Sequence, residues 1–262
     1  MGERREILRL EGVTLDFGGL RAVDNVTTSI AAGELVGLIG PNGAGKTSLY
    51  NVLTGIYKPT SGKVIFEGKD ITGLTPHEIA AHGLVRSFQL VSVFPELTCF
   101  ENVMAGFHSK TRSGTFDALF RTNLFKRESK ECAEKAHYIL EKVGLDKKAF
   151  MKAGNLSYGE RKRLDIGRAI AASPRMLLLD EPAAGLNPVE RAELVSLVRK
   201  LHDDGYTMVV IEHDMKLLMG LVKRVLVLDR GKLIADGTPR EVQNDEKVIT
   251  AYIGRRARHA AN

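Results

Sequence analysis

Short apolar runs recur at widely separated places along the chain: Leu35–Ile39, Val64–Phe66, Leu84–Val85, Met176–Leu179, Thr207–Ile211 and Val225–Leu228. They are rich in Val, Ile and Leu, and they do not alternate with polar residues. Runs of this kind predict strands buried on both faces, as in a mostly parallel sheet covered by helices. From Thr98 to about Lys152 the texture turns helical and charged. Within it, Cys132, Ala133, Ala136, Ile139, Leu140 and Val143 recur at a spacing of three to four, which predicts an amphipathic helix over Ser129–Val143. Residues 107–130 show no clear period and predict an inserted loop or short helices. Near the C-terminus, Val225–Leu228, a turn at Asp229-Arg230-Gly231 and Lys232–Ala235 predict a hairpin. Thr238-Pro239-Arg240-Glu241 then predicts a helix start, with Thr as N-cap, Pro at the first helical position and Glu at the third. The pattern divides the chain into an α/β core over 1–93, a helical subdomain over 94–175, and the rest of the core over 176–262.

Composition narrows the class. A chain of 262 residues, 44% hydrophobic and 27% charged, can build one substantial core with a smaller attached subdomain. No apolar run approaches the ~18 residues of a membrane span. The start, Met1-Gly2-Glu3-Arg4-Arg5, has no apolar stretch of a secretory signal. Cys99 and Cys132 lack metal-ligand or disulfide spacing, which fits a reducing cytosol. The net charge of +6 reads as a solvated surface, with Arg255, Arg256 and Arg258 in a tail expected to fray.

The first chemical signal lies after the strand Leu35–Ile39. Gly40-Pro41-Asn42-Gly43-Ala44-Gly45-Lys46-Thr47 fits G-x-x-x-x-G-K-[ST], and a helix is expected from Lys46 to about Leu53. Glycines let backbone N–H groups curl around an anion, and the helix N-terminus adds donors and the positive end of a dipole. The expected nucleotide contacts are Pro41, Asn42, Gly43, Ala44, Gly45, Lys46, Thr47 and Ser48. Lys46 is expected on the β- and γ-phosphates of ATP and the Thr47 hydroxyl on Mg²⁺.

A second signal closes the buried run Met176–Leu179: Asp180 and Glu181 stand at the carboxyl end of a predicted strand, where doubly wound sheets bind ligands. Asp180 is expected to hold the Mg²⁺ shell and Glu181 to orient the attacking water. The fold expected from these signals is α/β: a P-loop NTPase core, mostly parallel with an antiparallel β edge, plus an inserted α-helical subdomain.

A third signal is Leu156-Ser157-Tyr158-Gly159-Glu160. Ser157 and Glu160 form a capping box for the helical pattern that runs to Ala172. The box leaves Gly159 unexplained, since Gly weakens a helix by roughly 1 kcal/mol relative to Ala. A glycine there makes sense where something must approach the backbone closely, and a helix start with a Ser hydroxyl can hold a phosphate.

Taken in order, Gly40–Thr47, Gln89, Leu156–Glu160, Met176–Glu181 and His213 resemble the nucleotide-binding domain of ABC transporters over essentially the whole chain. The resemblance implies that Ser157 and Gly159 contact an ATP held by another subunit. It implies that Gln89 contacts Mg²⁺ and water, that His213 contacts the γ-phosphate and that Phe17 stacks on adenine. Tyr158 and Glu160 stand where the family pattern has Gly and Gln, and Asn187 stands where Asp is usual. Phe17–Val23, Arg86–Gln89, Ala183–Pro188, Ile211–Lys216 and Ala251–Gly254 are similar to ATP-binding subunits of branched-chain amino-acid importers. Subunits for urea and lipopolysaccharide transport are similar too.

That likeness implies permease subunits and a second ATP-binding subunit as partners, and a solute-binding protein indirectly. It also implies a location at the cytoplasmic face of the bacterial inner membrane. A soluble ATPase acting on nucleic acid is the competing class. The basic charge is its only support, no long heptad segment separates the motifs, and no nucleic-acid partner is expected. A non-enzymatic nucleotide sensor conflicts with the intact Glu181 and His213.

Overall fold

The structure, a computed structural model, describes residues 5–87, 92–107 and 123–259. The chain forms two compact units. The first comprises Met1–Leu84, Arg175–Pro182 and Leu201–Asn262, and the second Val85–Pro174 and Ala183–Lys200.

The first unit contains two sheets. β1 (Glu6–Phe17), β2 (Leu20–Ala31), β4 (Ser61–Phe66) and β5 (Lys69–Asp70) form an antiparallel sheet in the order β2-β1-β4-β5. β3 (Leu35–Ile39), β7 (Met176–Asp180), β8 (Thr207–Ile211), β9 (Arg224–Asp229) and β10 (Lys232–Gly237) lie in the order β10-β9-β3-β8-β7. In that second sheet β9, β3, β8 and β7 are parallel and β10 is antiparallel. Every residue of β3, β7 and β8 is buried, as runs without alternation predict.

Val64–Phe66 departs from the expectation of a strand buried on both faces. It belongs to the antiparallel sheet, with Val64 and Phe66 buried and Ile65 part-exposed, the alternation of a one-sided strand.

Helix α1 (Lys46–Leu53) follows β3 directly. It buries Leu49, Val52 and Leu53 in a core shared with Leu8, Leu10 and Val26 of the first sheet and Leu38, Val209 and Leu228 of the second. Tyr50 donates its hydroxyl to the carbonyl of Val209 at 2.9 Å, fastening α1 to the middle of β8. The predicted hairpin is β9–β10: Asp229 pairs with Lys232 across Arg230 and Gly231, both left-handed at φ 48° and 82°. That is the backbone of a type I′ turn, whose twist matches the flanking strands.

The unit also holds α2 (Pro76–His82), α7 (Met215–Leu221), α8 (Pro239–Asn244) and α9 (Glu246–His259). Helix α8 starts where its capping signal places it, with Thr238 and Glu241 exchanging hydrogen bonds of 2.7 and 3.3 Å. Against the expectation of a fraying basic tail, the α9 backbone stays helical to His259, continuing a helix that buries Val248.

β6 (Leu84–Ser87) carries the chain into the second unit. This unit holds α3 (Cys99–Gly106), α4 (Asn123–Lys142), α5 (Tyr158–Ala171) and most of α6 (Pro188–Asp203). The amphipathic pattern is that of α4, which begins at Asn123 and not at Ser129; Ala136, Ile139 and Leu140 face the core. The charged opening of α4 carries no apolar stripe from which its first turns could be read. Asn102 of α3 is fully buried, and its side-chain amide bonds Phe94, Leu97 and Thr98. The turn before α3 is therefore held by a satisfied buried polar group.

Candidate nucleotide-binding site

The loop between β3 and α1 is shaped by what cannot be there. Gly45 has φ 101°, and a Cβ on it would lie 2.3 Å from the carbonyl oxygen of Ala22. Only glycine fits that approach. Gly45 is also the N-cap of α1 and supplies no side-chain cap. The first-turn N–H groups are thus left to the loop side, where a helix attracts anions. The Lys46 ammonium folds back over the loop and donates to the carbonyls of Gly40 at 2.7 Å and Pro41 at 3.1 Å.

A cavity of about 520 Å³ opens beside this loop. Its lining joins Phe17 to Gly43, Ala44, Gly45, Lys46, Thr47 and Ser48. Phe17 is partly exposed and meets Tyr57 in a T-shaped contact, 5.0 Å between centroids. Arg21 and Arg230 line the same cavity; Arg21 lies in the Phe17–Val23 segment, but the sequence marks neither as a site residue. Arg21 is held by Asp16 at 2.9 Å and Asp24 at 3.2 Å; its hydrogen bond with Asp16, above all, raises its pKa further. Arg230 arrives from the β9–β10 turn, a segment remote in sequence from the loop, so spacing carries no signal for it. Tyr252 of α9 makes a hydrogen bond with the Gly40 backbone, and burial pushes its phenol up to about 12.

The parallel sheet delivers the other residues to one edge. Leu38 and Asp180 both pair with Ile211, so β3, β8 and β7 end level, with β8 in the middle. The loop follows β3, Asp180 and Glu181 close β7, and Glu212 and His213 follow β8. Asp180 is 2% exposed. Glu181 has φ 45°, a left-handed backbone that costs a non-glycine residue on the order of 1 kcal/mol. Its N–H donates to the carbonyl of Ile211 at 3.0 Å, which holds the turn. The Glu181 carboxylate lies 3.9 Å from Nδ1 of His213, and the buried Glu212 carboxylate lies 3.9 Å from the same nitrogen. The His213 ring is largely exposed.

Gln89 lies outside the described residues. Ser157 and Gly159 belong to the second unit, at the start of α5. The capping box is formed there: the Glu160 N–H donates to Ser157 Oγ at 3.2 Å and the Ser157 N–H to Glu160 Oε2 at 3.0 Å. No local pattern signals what else meets this turn. Glu190 of α6 accepts from Ser157 Oγ at 3.0 Å and from the Gly159 N–H at 3.2 Å.

This arrangement has close relatives. A family model described as ABC transporter matches residues 23–184, and one described as branched-chain amino acid ATP-binding cassette transporter matches residues 232–258. The high-affinity branched-chain amino acid transport ATP-binding protein LivG of Salmonella typhimurium is 44% identical, over 95% of this chain and 98% of its own. The solved ADP conformation of an ATP-binding cassette of an ABC transporter superposes with a TM-score of 0.83 at 37% identity, covering 95% of this chain and 99% of that one. A dimeric post-hydrolysis cassette bound to ADP and Pi superposes with a TM-score of 0.74 at 28% identity, covering 89% and 99%. With a model match over most of the motifs and a relative this similar along nearly its whole length, the chain belongs to the ABC transporter family as one of its nucleotide-binding ATPase cassettes.

Proposed function

We propose that the chain is the ATP-hydrolysing subunit of an importer for branched-chain amino acids. The observation that carries the ATPase reading is the level edge of β3, β8 and β7, which brings the phosphate loop, Asp180, Glu181 and His213 to one end of one sheet. Support for the cargo comes from the relatives' names and from the C-terminal match over residues 232–258.

In this reading Phe17 stacks on adenine, and Pro41, Asn42, Gly43, Ala44, Gly45 and Ser48 wrap the phosphates. Lys46 turns from the loop carbonyls to the phosphate oxygens. Thr47 and Asp180 are hard oxygen donors and fit Mg²⁺, which keeps waters and substrate oxygens for its remaining positions. Among the described residues no group of three or more His, Cys, Asp or Glu could hold a metal ion by itself. When bound, the ion would offset phosphate charge. Glu181 takes up the proton of the attacking water, Gln89 assists in placing that water, and His213, beside Glu181, contacts the γ-phosphate.

Ser157 and Gly159 complete the site of a second ATP-binding subunit. The helical subdomain, proposed as 94–175, transmits closure to permease subunits. A cavity of about 550 Å³ in the second unit, lined by Phe94, Ala105 and Ala169 together with Arg86, Asp165 and Arg168, is offered as the seat of a permease segment. Among the described residues no helix is long and apolar enough to cross a membrane. Attachment to the cytoplasmic face of the membrane is therefore assigned to those permeases.

Glu181→Gln is the direct test. Hydrolysis is expected to fall about a hundredfold or more, while ATP still binds and assembles the dimer. Hydrolysis at the parent rate would remove Glu181 from the role. For the cargo, ATPase activity of the reconstituted transporter is expected to rise with a binding protein loaded with leucine, isoleucine or valine. No response to any of the three rejects the assignment.

A further inference from the structure

Both donors at the head of α5 are taken by one carboxylate from the same chain. Glu190 Oε1 sits 3.0 Å from Ser157 Oγ and 3.2 Å from the Gly159 nitrogen, while Oε2 accepts from the Asn187 N–H at 3.3 Å. Ser157 Oγ already accepts from the Glu160 N–H, so its single proton is the one given to Glu190. The hydrogen bond from Ser157, then those from the backbone of Asn187 and Gly159, hold the Glu190 carboxyl below its ordinary pKa, so it is an anion.

The contact depends on the missing side chain at Gly159. A Cβ there would lie 2.6 Å from Glu190 Cδ and 2.8 Å from its Oε1. The glycine that helix chemistry leaves unexplained in the first turn of α5 is thus a place where an anion touches backbone. The anion that touches it here is Glu190.

A phosphate oxygen needs the same two protons. The Ser157 hydroxyl has one to give and the Gly159 amide has one, so a carboxylate and a γ-phosphate cannot both be served. Two anions on one pair of donors also repel. We propose that Glu190 is the internal competitor of the γ-phosphate: it holds Ser157 and Gly159 in the separate subunit and must withdraw before a partner's ATP is clamped there. The inference rests on the reading of Ser157 and Gly159 given under Proposed function. It assigns Glu190 a determining role in the ATP concentration at which two cassettes close.

The test uses the full chain carrying Glu181→Gln, so that ATP is not consumed, with dimer formation followed by sedimentation velocity across an ATP titration. Glu190→Gln keeps the shape and removes the charge. Glu190→Asp keeps the charge but is one methylene short of Ser157. Both are expected to lower the ATP needed for half-maximal dimer, the Gln variant by about tenfold, the scale of one charge-assisted hydrogen bond. The same variants are expected to melt lower without ATP, because a helix cap is weakened. A purely structural role would instead weaken the dimer along with the fold. An ATP requirement unchanged or raised in both variants overturns the proposal. Ser157→Ala separates the two layers. If, placed in the same Glu181→Gln chain, it leaves the ATP needed for half-maximal dimer unchanged, the reading of the α5 head fails and this inference with it. If it abolishes closure while both Glu190 variants match the parent, only the competitor is rejected.

Discussion

Phe17 makes a T-shaped contact with Tyr57 and lines the cavity beside the phosphate loop. Little of the fold rests on it, since the ring is 42% exposed. Phe17→Ala is therefore expected to leave the melting temperature nearly unchanged and to weaken ATP binding about fivefold, the scale of one aromatic stacking contact. Inorganic tripolyphosphate has no ring to stack, so its affinity is expected to stay at the parent value. Equal losses for both ligands, measured by calorimetry, would move Phe17 from a base contact to a support of the loop. Gly45→Ala makes a harsher demand. It sets a Cβ against the Ala22 carbonyl and forces φ 101° on a side-chain residue. The expected outcome is a loss of stability of about 2 kcal/mol together with loss of ATP binding. A variant that binds ATP as the parent does would show that the loop can shift to make room.

Among elements, the helix starts are the most legible in sequence, because a cap is a local event. Thr238 with Glu241 and Ser157 with Glu160 form reciprocal boxes, and Thr75 with Glu78 and Thr98 with Glu101 repeat the device. The β9–β10 hairpin is legible for the same reason. The long β1–β2 pair is not: its register shifts at several points, and bulges break the alternation by which an exposed antiparallel strand is recognised. The boxes predict a pH dependence. Hydrogen bonds from the Thr238 backbone and then its side chain hold Glu241 below its ordinary 4.5. A depressed carboxyl stabilises the fold fully above the unfolded value, and that contribution is lost as pH falls through the folded value. Glu241→Gln can keep the hydrogen bonds of the box but cannot titrate. Its melting temperature is expected to lie below the parent's at neutral pH, with the gap closing as the pH drops below 4.5. A gap that stays constant from pH 7 to about pH 3, followed by circular dichroism, would show that the charge of Glu241 contributes nothing to the cap.

At the scale of the whole molecule, legibility in the sequence depends on whether a rule links local pattern to place. Parallel strands end at one edge, so the pattern alone gathers the motifs at the ends of separate apolar runs: Gly40–Thr47, Asp180 with Glu181, and His213. No such rule joins Ser157 to Glu190 or Arg230 to the phosphate loop, because contacts between exposed polar residues leave no periodic trace. An ATPase can be built from these parts in two ways. If each site takes its loop and Glu181 from one chain and Ser157 from another, then Glu181→Gln and Ser157→Ala lie on opposite halves of a site. A mixed dimer would put both defects in one site and leave the other whole. Mixing the two inactive variants in equal amounts is then expected to restore about a quarter of the parent ATPase rate, since half of the random dimers are mixed and each keeps one of two sites. If every site is completed within its own chain, each chain of the mixture still carries a broken site and no activity returns. Titrating one variant into the other decides between the two, because recovery that peaks at equal proportions requires a site shared across chains.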